Sequence, residues 1–67
     1  MLSKRQIKLV VTSAMSKYAA ENGGKKGLSK EDVISAVAEY GGDAGDVRLA
    51  MVEGLRRISP NTKFYLS

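Results

Sequence analysis

Two pairs of adjacent glycines divide this chain into segments of helical length. Glycine readily adopts the left-handed backbone that ends a helix, so Gly23-Gly24 and Gly41-Gly42 each predict a break between two helices. Before the first pair, apolar residues recur at steps of three and four, which is one stripe of an α-helix. The stripe consists of Ile7, Val10, Val11, Ala14, Met15 and Tyr18. The pattern predicts a first helix from Ser3 to about Glu21.

The segment between the glycine pairs predicts a second helix that begins at Ser29. The serine hydroxyl is expected to cap the amide three residues on, where Asp32 stands as the acid of a capping box. Leu28 is expected to pack onto Val33 as a hydrophobic staple. The residues predicted for the buried face are Val33, Ile34, Val37 and Tyr40.

A third helix is predicted after Asp43, which is the expected N-cap. Its predicted inner side holds Val47, Ala50, Met51, Leu55 and Ile58, with Gly54 at a close approach of two backbones. Pro60-Asn61 then favours a turn, and Lys63 to Leu66 alternates like a short strand. The predicted fold is one domain over residues 1–67, mainly α with a short β-hairpin, of the three-helix winged-helix or helix-turn-helix type. An equal alternative is that the second and third helices are an ordinary helical hairpin of a bundle.

Composition argues against catalysis and metal chemistry. The chain has 67 residues with no cysteine and no histidine, so disulfides, thiolate zinc sites and histidine general bases are excluded. We therefore predict no enzyme activity, no catalytic residues, no metal and no cofactor or small-molecule substrate. No apolar run approaches the roughly 18 residues of a membrane span or a signal segment. We expect an intracellular protein, in the cytoplasm with the nucleoid or in a nucleus, and no membrane partner.

Positive charge is concentrated in the first thirty residues. They hold seven of the eleven lysines and arginines and one acid, Glu21, which gives a net charge of +6. Residues 31–67 hold four bases and six acids and carry −2. A small domain with its positive charge at one end suits a polyanion, and nucleic acid is the commonest such partner. The alternative is that these lysines only keep a small protein soluble.

Three short motifs resemble the globular domain of linker histones. They are Val11 to Ala14 in the first helix, Gly27-Leu28-Ser29 before the second, and Val47-Arg48-Leu49-Ala50-Met51 in the third. The resemblance extends from Ile7 to Leu66 and implies a DNA-binding winged helix. Linker histones tend to place basic residues after the third motif, whereas this chain has Val52 and Glu53 and lacks a lysine-rich tail.

The prediction for function is a small DNA-binding protein whose contacts to duplex DNA are mainly electrostatic. The predicted phosphate-binding residues are Lys4, Arg5, Lys8, Lys25, Lys26, Lys30, Arg48, Arg56, Arg57 and Lys63. The loop and the amino-terminal residues are predicted to neutralise phosphates together with the residues that the third helix or the hairpin presents, and either group could make the main contact. Asp46 and Glu53 are equally able to pair with the third-helix arginines as surface salt bridges. We expect the loop to contribute more, because those acids would repel the DNA backbone.

A second prediction is a protein-protein interaction or homodimerisation module. Leu49 and Val52 extend the apolar surface of the third helix beyond the stripe that the core requires. A protein partner, or a second copy of the chain, would cover them.

Overall fold

The computed structural model describes residues 1–58, which form three helices. They are α1 (Lys4–Glu21), α2 (Lys30–Glu39) and α3 (Ala44–Ile58). Each helix packs against the other two, so this part of the chain is a three-helix bundle. The predicted number, order and approximate limits of the helices are confirmed. In this part of the chain no helix is both long enough and apolar enough to cross a membrane.

The predicted fold class is wrong in its β-hairpin. Residues 1–58 contain no strand, and their one extended element is a single bridge residue, Leu28. A hairpin around Pro60-Asn61 would have to begin at Ile58, but this residue ends α3 and is buried in the core, as predicted for the inner side of that helix. Ile58 lies four residues after Gly54 and eight after Ala50, on the face of α3 that the core covers. The remainder of the predicted hairpin, residues 59–66, lies outside the described residues.

The first helix begins with a capping box that the sequence analysis did not identify. The Ser3 hydroxyl accepts a hydrogen bond from the Gln6 amide at 3.1 Å, and Gln6 Oε1 accepts one from the Ser3 amide at 2.9 Å. Its predicted apolar stripe is buried, except that Met15 is partly exposed. The helix ends where Gly23 and Gly24 adopt positive φ angles of 65° and 83°.

The second helix differs from its prediction at the cap and on the buried face. Ser29 is the N-cap residue, but its side chain makes no capping hydrogen bond. Ile34 and Tyr40, predicted to be buried, are exposed, whereas Ala36 is buried beside Val33 and Val37. The face that α1 and α3 cover is centred on residues 33, 36 and 37, and Ile34 lies about 100° around the helix from Val33. The buried face predicted for α2, which included Ile34, was therefore too wide.

The third helix begins with a reciprocal pair of aspartates. Asp43 Oδ1 accepts from the Asp46 amide at 3.1 Å, which confirms Asp43 as the cap, and Asp46 Oδ2 accepts from the Asp43 amide at 2.9 Å. Asp46 Oδ1 also accepts from the Leu2 amide at 2.9 Å. Asp46 is only 1% exposed, so the prediction that it forms a surface salt bridge with an arginine is wrong. These hydrogen bonds satisfy the buried carboxylate and lower its pKa from the ordinary value.

Two glycines let the segment between α1 and α2 approach the bundle closely. A Cβ atom added at Gly54 would lie 2.5 Å from Leu28 Cδ2, and one added at Gly27 would overlap the ring of Tyr18. Leu28 is completely buried against α3. A close approach at Gly54 was predicted, but it is made by the side chain of Leu28 and not by a second backbone. This contact fixes the end of the segment that carries Lys25 and Lys26.

Candidate nucleic-acid interface

The segment between α1 and α2 is held to the bundle at both ends. At its start, the Gly24 amide donates to the Ala19 carbonyl at 2.8 Å, and Asn22 Nδ2 donates to the Tyr18 carbonyl at 2.9 Å. At its end, Leu28 is buried against Gly54. The exposed residues Lys25 and Lys26 lie between these anchors.

The two loop lysines line an open groove together with α1 and the end of α3. We call it the loop groove, and its volume is about 270 Å³. Its lining residues are Thr12, Met15, Ser16, Ala19, Gly24, Lys25, Lys26 and Arg57. The lining contains three cations and no acid. Arg57 is 31 residues after Lys26 in the sequence, so the fold alone brings them together.

Arg57 is held in the loop groove by hydrogen bonds to α1 and to its own helix. Its Nη1 donates to Thr12 Oγ1 at 2.8 Å, and its Nη2 donates to the Lys8 carbonyl at 3.2 Å. Its Nε donates to Glu53 Oε2 at 3.3 Å, one turn earlier on α3. This ion pair confirms that an acid pairs with a third-helix arginine, although only for Glu53. The guanidinium is therefore fixed in one place before any ligand arrives.

Two of the α1 residues that line the loop groove, Thr12 and Ser16, belong to a row of residues one turn apart. Lys8, Thr12 and Ser16 follow each other at four-residue steps, which places them along one side of the helix. All three are exposed. The Thr12 hydroxyl donates to the Lys8 carbonyl at 3.0 Å while it accepts from Arg57. Lys8 therefore extends the positive surface from the loop groove toward the beginning of α1, and we call Lys8, Lys25, Lys26 and Arg57 the loop cluster.

In the described part of the chain, the three lysines of the loop cluster make no ion pair with an acid. Within residues 1–58, no carboxylate lies within the 4.0 Å ion-pair distance of the amine of Lys8, Lys25 or Lys26. Lys17, also basic and on α1, instead has its Nζ 4.0 Å from Asp32 Oδ1. Three ammonium groups of the cluster are thus open to an anion, and the guanidinium shares its charge with Glu53.

The other predicted phosphate-binding residues lie elsewhere. Lys4 and Arg5 are exposed on the first turn of α1, and Arg56 is exposed near the end of α3. Lys30 and Arg48 line a separate groove between α2 and α3, while Lys63 lies outside the described residues. From the sequence, either the loop or the third helix could make the main contact. The structure instead brings Arg57 to the loop and places Arg48 in the other groove.

The two residues predicted for a protein interface are exposed on α3. Leu49 is 48% exposed and Val52 is 44% exposed, and their spacing of three residues places them on one side of the helix. Ile34 on α2 is equally open at 45%, which the sequence analysis missed because it assigned this residue to the core. In the described part of the chain, no group of three or more acidic side chains is arranged to hold a metal ion.

Comparisons with known proteins give no match. No family model matches the chain, and no curated protein and no solved structure is significantly similar to it. The resemblance to linker histones therefore stays a prediction.

Proposed function

We propose that the chain is a small non-catalytic DNA-binding protein whose loop cluster contacts the phosphates of a duplex. The observation that carries this proposal is the loop groove, where the fold joins Lys25 and Lys26 to Arg57 from the far end of the sequence. Half to two-thirds of protein–DNA hydrogen bonds go to phosphate and sugar, and Arg and Lys are common donors. A lining with three cations and no acid matches that chemistry.

The arrangement of Arg57 supports a phosphate rather than a mobile counterion as the ligand. A guanidinium presents several N–H donors in a plane and binds phosphate through two of them. The Thr12 and Lys8 oxygens hold the Arg57 group against α1, so less side-chain entropy is lost when phosphate binds. Phosphate would compete with Glu53 for the same group, which is an exchange of one anion for another.

The proposed binding is electrostatic and independent of base sequence. Lysine ammonium groups and an arginine on a groove of this kind reach phosphate oxygens, which carry no direct sequence information. The net charge of +6 in residues 1–30 attracts the duplex before contact is made.

The test compares two charge-reversed proteins of equal net charge. Lys25→Glu with Lys26→Glu changes the loop cluster, and Arg48→Glu with Arg56→Glu changes α3 outside it. Each pair lowers the formal net charge from +4 to 0, so the general attraction of DNA falls equally. All four side chains are exposed, and circular dichroism is expected to show that both proteins fold. Fluorescence anisotropy with a labelled random duplex gives the two dissociation constants.

The loop pair is expected to weaken DNA binding roughly tenfold or more beyond the arginine pair, and to lower the salt slope by about 1.8 for two lost contacts. If the arginine pair abolishes binding while the loop pair leaves it intact, the loop cluster is not the site. The third helix would then be the contact surface, as the linker-histone resemblance implies.

A second candidate function is protein docking through α3. The nearly half-exposed side chains of Leu49 and Val52 favour it, since a partner or a second copy would remove this apolar area from water. Sedimentation at high protein concentration tests the homodimer. A monomer whose solubility is unchanged by Leu49→Lys would remove the reason for this candidate.

A further inference from the structure

A second, larger groove lies between α2 and α3. Its volume is about 760 Å³, within the range of sites that bind small molecules or peptide side chains. Its apolar lining comes from Ile34, Val37, Ala38, Val47 and Met51. Among these residues, Ile34 is 45% exposed. The residues that line this groove are all different from those that line the loop groove. We call the larger groove the helical groove.

The charges on the helical groove favour an acidic partner. Lys30 and Arg48 line it, and within residues 1–58 neither makes an ion pair. Its one acid, Asp43, already accepts a hydrogen bond from the Asp46 amide at the start of α3. An occupant therefore meets apolar side chains together with two uncommitted cations.

We infer that the helical groove docks an acidic amphipathic helix from another protein. Such a helix presents apolar side chains at i, i+3 or i+4, and i+7, which is the spacing that a groove between two helices receives. The apolar anchors would lie on Ile34, Val47 and Met51. Flanking carboxylates would pair with Lys30 and Arg48, which selects acidic over basic helices.

Two other occupants fit the helical groove less well. In a two-fold dimer the same surface is used by both copies, so Lys30 and Arg48 would face a surface with the same positive charges. Duplex DNA would offer phosphates to Lys30 and Arg48, but it would bring no apolar side chain to cover Ile34, Val47 and Met51. A partner that supplies both apolar side chains and carboxylates satisfies both halves of the lining.

The probes are two synthetic alanine-rich peptides of about 20 residues, above the roughly 12–15 residues below which an isolated helix is marginal in water. Both carry leucines at i, i+4 and i+7, and they differ only in flanking glutamates or flanking lysines. Fluorescence anisotropy measures each labelled peptide against the full chain. The glutamate peptide is expected to bind at least about tenfold more tightly than the lysine peptide. Equal binding, or no binding of the glutamate peptide, would overturn the inference.

Matched variants then locate the peptide. Ile34→Glu is expected to weaken binding of the glutamate peptide about tenfold or more, because it removes an apolar contact and adds a negative charge that repels the peptide's glutamates. Leu9→Glu is the control, since Leu9 is 47% exposed on α1 and lies outside the groove. Lys25→Glu with Lys26→Glu controls for attraction to the loop cluster. Both control variants are expected to weaken binding of the glutamate peptide less than threefold at physiological salt.

Three further outcomes contradict the inference. In the first, Leu9→Glu weakens binding of the glutamate peptide as much as Ile34→Glu does. In the second, Lys25→Glu with Lys26→Glu abolishes that binding. Either result means that the peptide is not in the helical groove. In the third outcome the wild-type chain sediments as a dimer that Ile34→Glu dissociates, which makes a second copy the occupant. Ile34 and Leu9 are both exposed, so the variants are expected to fold, and circular dichroism checks this for each of them.

Discussion

Replacement of Gly54 by alanine is expected to destabilise the protein, although alanine is the better helix former. The glycine lies within α3, directly against the buried side chain of Leu28. A Cβ atom there would lie 2.5 Å from Leu28 Cδ2, well inside van der Waals contact. Leu28 is completely buried and has no open side toward which to move.

The magnitude follows from two opposed effects. Gly54→Ala gains about 1 kcal/mol of helix propensity. Overpacking in a filled core costs about 1–3 kcal/mol, so the free energy of unfolding should fall by about 1 kcal/mol on balance. Leu28→Ala alone should cost about 2–5 kcal/mol. In the Leu28→Ala protein the overlap is gone, so Gly54→Ala is expected to stabilise it by about 1 kcal/mol.

Urea unfolding of the four proteins, followed by circular dichroism, measures this reversal of sign. The expected coupling between the two positions is about 2 kcal/mol. If Gly54→Ala stabilises the wild type, or changes both backgrounds equally within about 0.5 kcal/mol, then Leu28 does not pack on Gly54 as described. The contact also concerns the site, because Leu28 is the anchor that follows Lys25 and Lys26.

Two further changes test the ends of the loop and of α3. In Gly27→Ala the new Cβ would overlap the Tyr18 ring, so the free energy of unfolding in urea is expected to fall by about 1–3 kcal/mol and DNA binding to weaken. If the variant is as stable as the wild type, the end of the loop is not packed on that ring. The pKa of Asp46 is lowered in the folded state by the amides of Leu2 and Asp43, so stability from this carboxylate is present above the ordinary aspartate range and is lost as pH falls through the lowered folded pKa. The melting temperature of the wild type should therefore decrease as the pH is lowered below about 4, and it should decrease less in Asp46→Asn. If the melting temperatures of the two proteins depend equally on pH, this account of Asp46 is contradicted.

The helices of this fold were predictable because their signals are local. The glycine pairs and the Asp43 cap act within a few residues, and these signals gave the ends of α1 and α2 and the start of α3. The buried face of α2 was less accessible, because Ile34 and Tyr40 have the apolar character of a core but lie off the face that α1 and α3 cover. The Ser29 cap also failed, since an N-cap residue need not use its side chain.

The candidate site was half predictable for the same reason. Lys25 and Lys26 stood out as a basic loop between glycines, and the structure confirms that they are exposed. Their proximity to Arg57 depends on how α3 packs against α1, and nothing local to Arg57 indicates it. Asp46 was misassigned likewise, because the Leu2 amide that it binds is 44 residues away in sequence.

The salt dependence of DNA binding tests the central proposal most directly. The dissociation constant of the full chain for a short random duplex is measured at about 50 mM and about 200 mM salt, by fluorescence anisotropy. Four phosphate contacts, one for each cation of the loop cluster, predict a log-log slope near −3.6 and hence a loss of affinity of about 150-fold over this range. No detectable binding at the lower salt, or a loss of less than about threefold, would contradict phosphate binding by the loop cluster.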